Sequence, residues 1–198
     1  MRFTVGKKIG GGFSVVVILL LIVFLYTFSV VNVAIKSNDK FLKVDQPSLF
    51  LINQLKEDLA KTHTYMQQWV IEESRSDEQW KIEAETLLDQ TLKSDLDSLE
   101  KLSSKWISIE DSIDNGLTEF KNISTNISYL IESYNIEVRN IFVDIDSYQD
   151  EALKFNADFM FEEISSSYEI LLEEINQLSN IRTHIADVQQ IETNNRFS

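Results

Sequence analysis

The stretch IEDSIDNGLTEFKNISTNISYLIESYNIEVRNIFVDI, residues 109–145, decides the fold. Its apolar residues are Ile109, Ile113, Leu117, Phe120, Ile123, Ile127, Leu130, Tyr134, Val138, Ile141 and Ile145. Every step along that series is three or four residues, which is the period of one buried face of an α-helix. Three further stretches repeat the pattern. The first has Ile52, Leu55, Leu59, Thr62, Met66 and Trp69. The second has Leu88, Leu92, Leu99, Leu102 and Trp106, and the last has Met160, Ile164, Leu171, Ile175, Leu178, Ile181, Ile185 and Val188. Asp95 is the one polar residue in the phase of the second stripe. Either it faces a polar layer with Thr62, or the helix shifts phase so that Leu96 replaces it. A buried, unpaired carboxylate is too costly for a third option.

Breakers are scarce in this region. Pro47 is the single proline, and Gly116 is the one glycine after residue 12. Short alternating runs bounded by Gly or Pro, the mark of strands, are absent from the sequence. Turn residues fall between the stripes, at Ser74-Arg-Ser-Asp77, at Ser103-Ser104 through Ser108, and at Asp144 to Asp150. Asp146 or Ser147 is a candidate cap for the last helix. Short connections place neighbouring helices antiparallel. The expected fold is therefore all-α, an antiparallel up-down-up-down four-helix bundle. Pro47 should kink the first helix or mark where the bundle begins.

Upstream, residues 9–35 carry no charged side chain, and Phe13-Ser-Val-Val-Val-Ile-Leu-Leu-Leu-Ile-Val-Phe-Leu25 is almost wholly apolar. A helix rises about 1.5 Å per residue, so roughly 20 such residues cross a bilayer. The domains expected are a cytoplasmic N-terminus over 1–12, a transmembrane helix over 13–35, and an extracytoplasmic bundle over 36–198, its first helix continuous with the span. Arg2, Lys7 and Lys8 precede the span, whereas Lys36, Asp39, Lys40, Lys43 and Asp45 follow it. The positive-inside bias then puts the N-terminus in the cytoplasm and the bundle outside. The apolar run exceeds the core of a cleaved signal peptide, and Asn32-Val33-Ala34 is a poor cleavage site. Gly12-Phe13 after Lys7-Lys8 resembles the leader junction of type IV pilins, but Val17 stands where a pilin has glutamate.

At the helical rise the first helix climbs about 60 Å, and the last descends about 60–70 Å, back to the membrane near residues 188–195. The chain is accordingly expected to be the N-terminal portion of a longer two-span protein.

With no cysteine, thiolate nucleophiles, CxxC redox pairs and thiolate zinc sites are excluded, and the exported domain rests on its core alone. The formal net charge is −14, which repels phosphate backbones and argues against nucleic acid as a partner. It also keeps an exported domain soluble. The two histidines, His63 and His184, fall at heights of about 40 Å and about 20 Å above the membrane and should not meet in a zinc site. Adjacent acids such as Glu72-Glu73, Glu162-Glu163 and Glu173-Glu174 point about 100° apart on a helix and form solvated faces. Asp144-Ile-Asp146-Ser-Tyr-Gln-Asp150 alternates like a calcium loop but lacks its glycine and terminal glutamate. P-loop, GxSxG and HExxH motifs are missing. Neither metal nor cofactor is expected, and no enzymatic activity. Asn122-Ile-Ser and Asn126-Ile-Ser match the glycosylation sequon.

Several segments resemble bacterial transmembrane receptors. Lys8-Ile-Gly-Gly-Gly-Phe13, leading into the span, is similar to the start of many methyl-accepting chemotaxis proteins and sensor histidine kinases. Pro47-Ser-Leu-Phe-Leu-Ile-Asn-Gln-Leu-Lys-Glu-Asp-Leu59, followed by Met66-Gln-Gln-Trp-Val70, resembles their four-helix-bundle sensor module, with Leu99 to Trp106 and Ser147-Tyr-Gln-Asp150 as further landmarks. The resemblance covers the whole chain. It implies an extracytoplasmic sensor domain that binds a small molecule or a periplasmic partner protein and works as a homodimer. It further implies that the fourth helix passes a displacement through the membrane to a cytoplasmic output absent from this chain. In such receptors ligands bind near the membrane-distal end, where this chain would place Trp69, Trp80, Arg139 and Tyr148. The arginine cluster of amino-acid chemoreceptors is not reproduced, since the first helix offers only Arg75. The alternative is a membrane-anchored structural or tethering bundle with no signalling role.

Overall fold

The computed structural model describes residues 5–71, 79–109, 117–145 and 151–197. All of these residues are helical, and no strand occurs among them. Helix α1 runs Val5–Lys40. Its apolar side chains are bare: Phe13 is 70% exposed and Phe24 65%, and the large apolar residues between them are 39–64% exposed. Ser14 donates its hydroxyl to the Gly10 carbonyl at 2.9 Å, so the helix satisfies its own polar group. This helix is long and apolar enough to cross a membrane.

A π-helical turn, Phe41–Asp45, follows, then α2, Gln46–Ile71. Pro47 is the second residue of α2 and lacks the N–H that would close an ordinary turn on Lys43. Widening the preceding turn relieves the clash of its ring with that carbonyl, so the helix adjusts at Pro47 without stopping. One unbroken helix therefore extends from Gly10 to Val70.

The chain continues with α3 (Gln79–Thr86), a second π turn (Leu87–Thr91) and α4 (Leu92–Ile109). Next come α5 (Leu117–Ile145) and α6 (Glu151–Phe197). The turn expected over Ser103 to Ser108 does not form. Ser103 and Ser104 donate to the carbonyls of Glu100 and Lys101 at 2.8 and 2.7 Å. With their hydroxyls satisfied inside the helix, burial of Trp106 keeps α4 running to Ile109. The candidate caps Ser74 to Asp77, Asp146 and Ser147 lie outside the described residues.

Two compact units emerge, Met1–Lys43 with Ala186–Ser198, and Val44–Ile185. The core of the larger one draws on α2 to α6. Ile52, Leu55, Leu59, Thr62, Met66 and Trp69 are all buried, so the first stripe is one core face. Leu88, Leu92, Leu99 and Trp106 of the second stripe, and Phe120, Ile123, Ile127, Tyr134, Val138 and Ile141 of the third, are buried as well. In the fourth, Ile164, Leu171, Ile175 and Leu178 are buried, while Met160, Ile181, Ile185 and Val188 are half-buried. Each fully buried Leu, Ile or Met adds about 1.5–3 kcal/mol of apolar transfer.

Candidate functional site

Trp69 reaches the end of the first stripe on α2, and Trp80 opens α3. Their rings meet edge to face with centroids 5.7 Å apart. Phe142 of α5 packs on Trp69 at 3.8 Å, and the Lys81 ammonium lies 4.2 Å from the centre of the same ring. Trp69 and Lys81 are buried and Trp80 half-buried. Desolvation pushes the Lys81 pKa down, and Glu85 opposes the shift. Beside this cluster the Tyr65 hydroxyl donates to Glu83 at 2.9 Å, which raises its pKa.

Arg139 of α5 forms an ion pair with Asp89, in the second π turn. Its Nε also donates to Asn135 Oδ1 at 3.3 Å. Asn135 in turn donates to the Leu88 carbonyl at 3.2 Å. In that turn the Leu92 N–H bonds five residues back to Leu87, and the buried Asn135 amide serves the carbonyl next to it. Arg139 thus faces the π turn, while Trp69 and Trp80 share one aromatic cluster with Phe142. Tyr148 lies outside the described residues. Lys81, Asn135 and Phe142 complete this region and were not singled out by sequence. Lys81 had a signal: with Ala84 and Leu88 it keeps the helical phase of a buried face.

Two polar features interrupt the core. Asp95 stays in phase and is 7% exposed, so the polar layer forms and Leu96 does not replace it. Its partners differ from the expected Thr62. Gln54 Nε2 donates to Asp95 Oδ1 at 3.4 Å, whereas Thr62 donates to the Asp58 carbonyl at 2.8 Å. Burial first, then the charge and hydrogen bonding of Asp58, push the Asp95 pKa up to about 6. The other feature is His63, half-buried and stacked between Tyr168 at 4.1 Å and Phe161 at 5.3 Å. Its Nδ1 is 3.5 Å from the Tyr134 hydroxyl. Desolvation lowers its pKa, with Glu169 opposing. His184 is exposed on α6. Among the described residues no three His, Cys, Asp or Glu side chains group as metal ligands.

At the other end of α2, Asp45 and Arg182 form an ion pair with both side chains fully buried. The Arg182 guanidinium lies 4.5 Å from the Trp106 ring centre, and Trp106 Nε1 donates to Ser48 Oγ at 2.8 Å. Comparison with known proteins adds no family: no family model matches the chain, and neither the curated proteins nor the solved structures contain a significant match.

Proposed function

We propose that this chain is the extracytoplasmic sensor domain of a bacterial transmembrane signal-transduction receptor. In this reading α1 crosses the inner membrane with its N-terminus in the cytoplasm. The helices after it form an antiparallel up-down-up-down bundle in the periplasm, and the receptor works as a homodimer. A stimulus at the bundle becomes a small displacement of its last helix, passed to a cytoplasmic output.

The observation that carries the reading is the helix from Gly10 to Val70. At one end it is apolar and bare, and at the other it contributes a complete face to the core. Side-chain pairs support the antiparallel order. Between α2 and α6, with Asp45 in the turn before α2, they are Asp45 with Arg182, Lys56 with Asn176, and His63 with Tyr168. Between α2 and the α3–α4 segment they are Ser48 with Trp106, Gln54 with Asp95, and Tyr65 with Glu83. In each set one partner's number rises as the other's falls, as in opposed neighbours.

The test is topological. Alkaline phosphatase, active only in the periplasm, is fused after Lys8 and after Ser198 in the expressed chain. The expected result is an inactive first fusion and an active second one. The reverse pattern, or recovery of both fusions in the soluble fraction, would overturn the reading. Tethering without signalling would show as correct topology in a receptor whose output is indifferent to substitutions that loosen the bundle.

A further inference from the structure

Within the larger unit, α6 meets α2 and the turn before it through Asp45 with Arg182, Lys56 with Asn176, and His63 with Phe161 and Tyr168. These contacts differ in how strictly they fix the axial position of α6. A shift by one helical turn moves α6 about 5.4 Å and replaces each partner by the residues three or four places away.

Most of the seam accepts such a shift. The buried residues of α6 along it include Ile164, Leu171, Ile175 and Leu178. Moved one turn toward the Asp45 end, Leu171 takes the place of Ile175 and Ile175 that of Leu178, exchanges that conserve volume. Ile164 takes the place of Tyr168 and keeps an apolar wall against His63. Lys56, which donates to Asn176 at 2.8 Å, comes to the level of Glu173 and keeps a polar partner.

Asp45 is the exception. The same move brings Leu178 to the place of Arg182, and the opposite move brings Ala186 there. Ser179 and Ile185, the other residues one turn away, are also uncharged. Asp45 and Arg182 are both fully buried, so each of these shifts leaves a carboxylate in the core without its guanidinium, which is strongly unfavourable. The seat of Arg182 is equally particular. Its guanidinium lies over Trp106 of α4 and Phe120 of α5, and Trp106 is held in turn by donating to Ser48 of α2 at 2.8 Å.

From this geometry we infer that the Asp45–Arg182 pair is a register lock. It selects one axial position of α6 against α2 from a set, spaced one turn apart, that the rest of the seam accepts. A lone buried polar contact sets register in the same way in coiled coils. A displacement of α6 is then a step from one register to the next, since packed interfaces are bistable and do not deform continuously. The lock is a property of the larger unit and does not depend on the sensor reading.

Double electron–electron resonance on the full chain in lipid nanodiscs tests it. The chain has no cysteine, so Asn53→Cys on α2 and Glu162→Cys on α6, both exposed positions, carry the only spin labels. Dilution with unlabelled chain confines the measured distances to single molecules. With the natural pair, one distance is expected. Asp45→Asn/Arg182→Met should give two populations about 5 Å apart, close to the helical pitch. Leu178→Arg/Arg182→Leu moves the arginine four residues back along the same face, and the register should follow it. The result expected is one distance about 5 Å shorter, because α6 advances toward the Asp45 end of α2 and brings position 162 nearer position 53. The natural distance alone, in either variant with its helical melting intact, would overturn the lock. Loss of cooperative melting in both variants would overturn it as well, because the seam would then accept no second register.

Discussion

Asp45 and Arg182 are 137 residues apart in sequence, yet their side chains form an ion pair from which water is excluded on both sides. Arg182 also lies over the rings of Trp106 and Phe120. The pair thus ties the start of the first core helix to the last helix, at a point where α4 and α5 also contribute.

Removing one partner of such a pair should cost more than the pair itself is worth, because the other charge stays buried. Asp45→Asn and Arg182→Met are each expected to destabilise the fold by about 3–5 kcal/mol. The double variant Asp45→Asn/Arg182→Met should recover most of that loss. Urea unfolding followed by circular dichroism measures all three. Additive losses in the double variant would mean that the two residues act separately.

Asp95 has the opposite character: its charge is tolerated rather than used. Its folded pKa of about 6 lies above the unfolded value of 3.8, so the native state holds the extra proton between those values. Stability from this group is therefore full below about pH 4, declines as pH rises to about 6, and stays low above it. The difference corresponds to at most about 3 kcal/mol. Asp95→Asn should melt higher than the natural chain at pH 7 and at nearly the same temperature at pH 4. Parallel curves across that range would show that burial and the neighbouring Asp58 do not hold the proton on Asp95.

His63 gives a slope of the other sign. Burial between Tyr168 and Phe161 depresses its pKa from 6.5, with Glu169 partly opposing, so the folded state prefers the neutral ring. Its contribution is complete above pH 6.5 and is lost as pH falls through the depressed value. His63→Phe keeps a flat ring in the stack and removes the titration. The variant should gain on the natural chain as pH drops below 6.5, and the two should run parallel above it. A constant difference from pH 5 to pH 8 would mean that the imidazole titrates alike in the folded and unfolded chain, so that burial does not depress its pKa.

Helical period made the core readable at α2, where each residue of the first stripe is buried. It also kept Asp95 in its phase. Period alone does not tell a break from a polar turn of helix, so the serines at 103 and 104 read as a loop. Their hydroxyls bond within the helix, and the burial of Trp106 holds the segment helical. The site was less readable because it depends on which helices meet. Trp69 and Trp80 are close in sequence, and their rings meet where α2 ends and α3 begins. Phe142, Asn135 and Glu137 gain their meaning only from α2, the second π turn and α6, to which nothing in their own neighbourhood points. Glu163, read as one of a solvated pair with Glu162, lines a cavity whose other wall is 26 residues away at Glu137.

Trp69 and Trp80 separate packing from recognition at the aromatic cluster. Trp69 is fully buried and touches Trp80, Phe142 and Lys81, so Trp69→Ala should cost about 3–5 kcal/mol. Trp80 is half-buried and has less surface to lose, so Trp80→Ala should cost markedly less. Chemical denaturation of the two variants checks the order. If Trp69 is an anchor of the core, Trp69→Phe, which retains a ring against Phe142 and Trp80, should recover more than half of the alanine loss. A Trp69→Ala chain as stable as the natural one would remove this residue from the core and leave recognition as the reason for its presence.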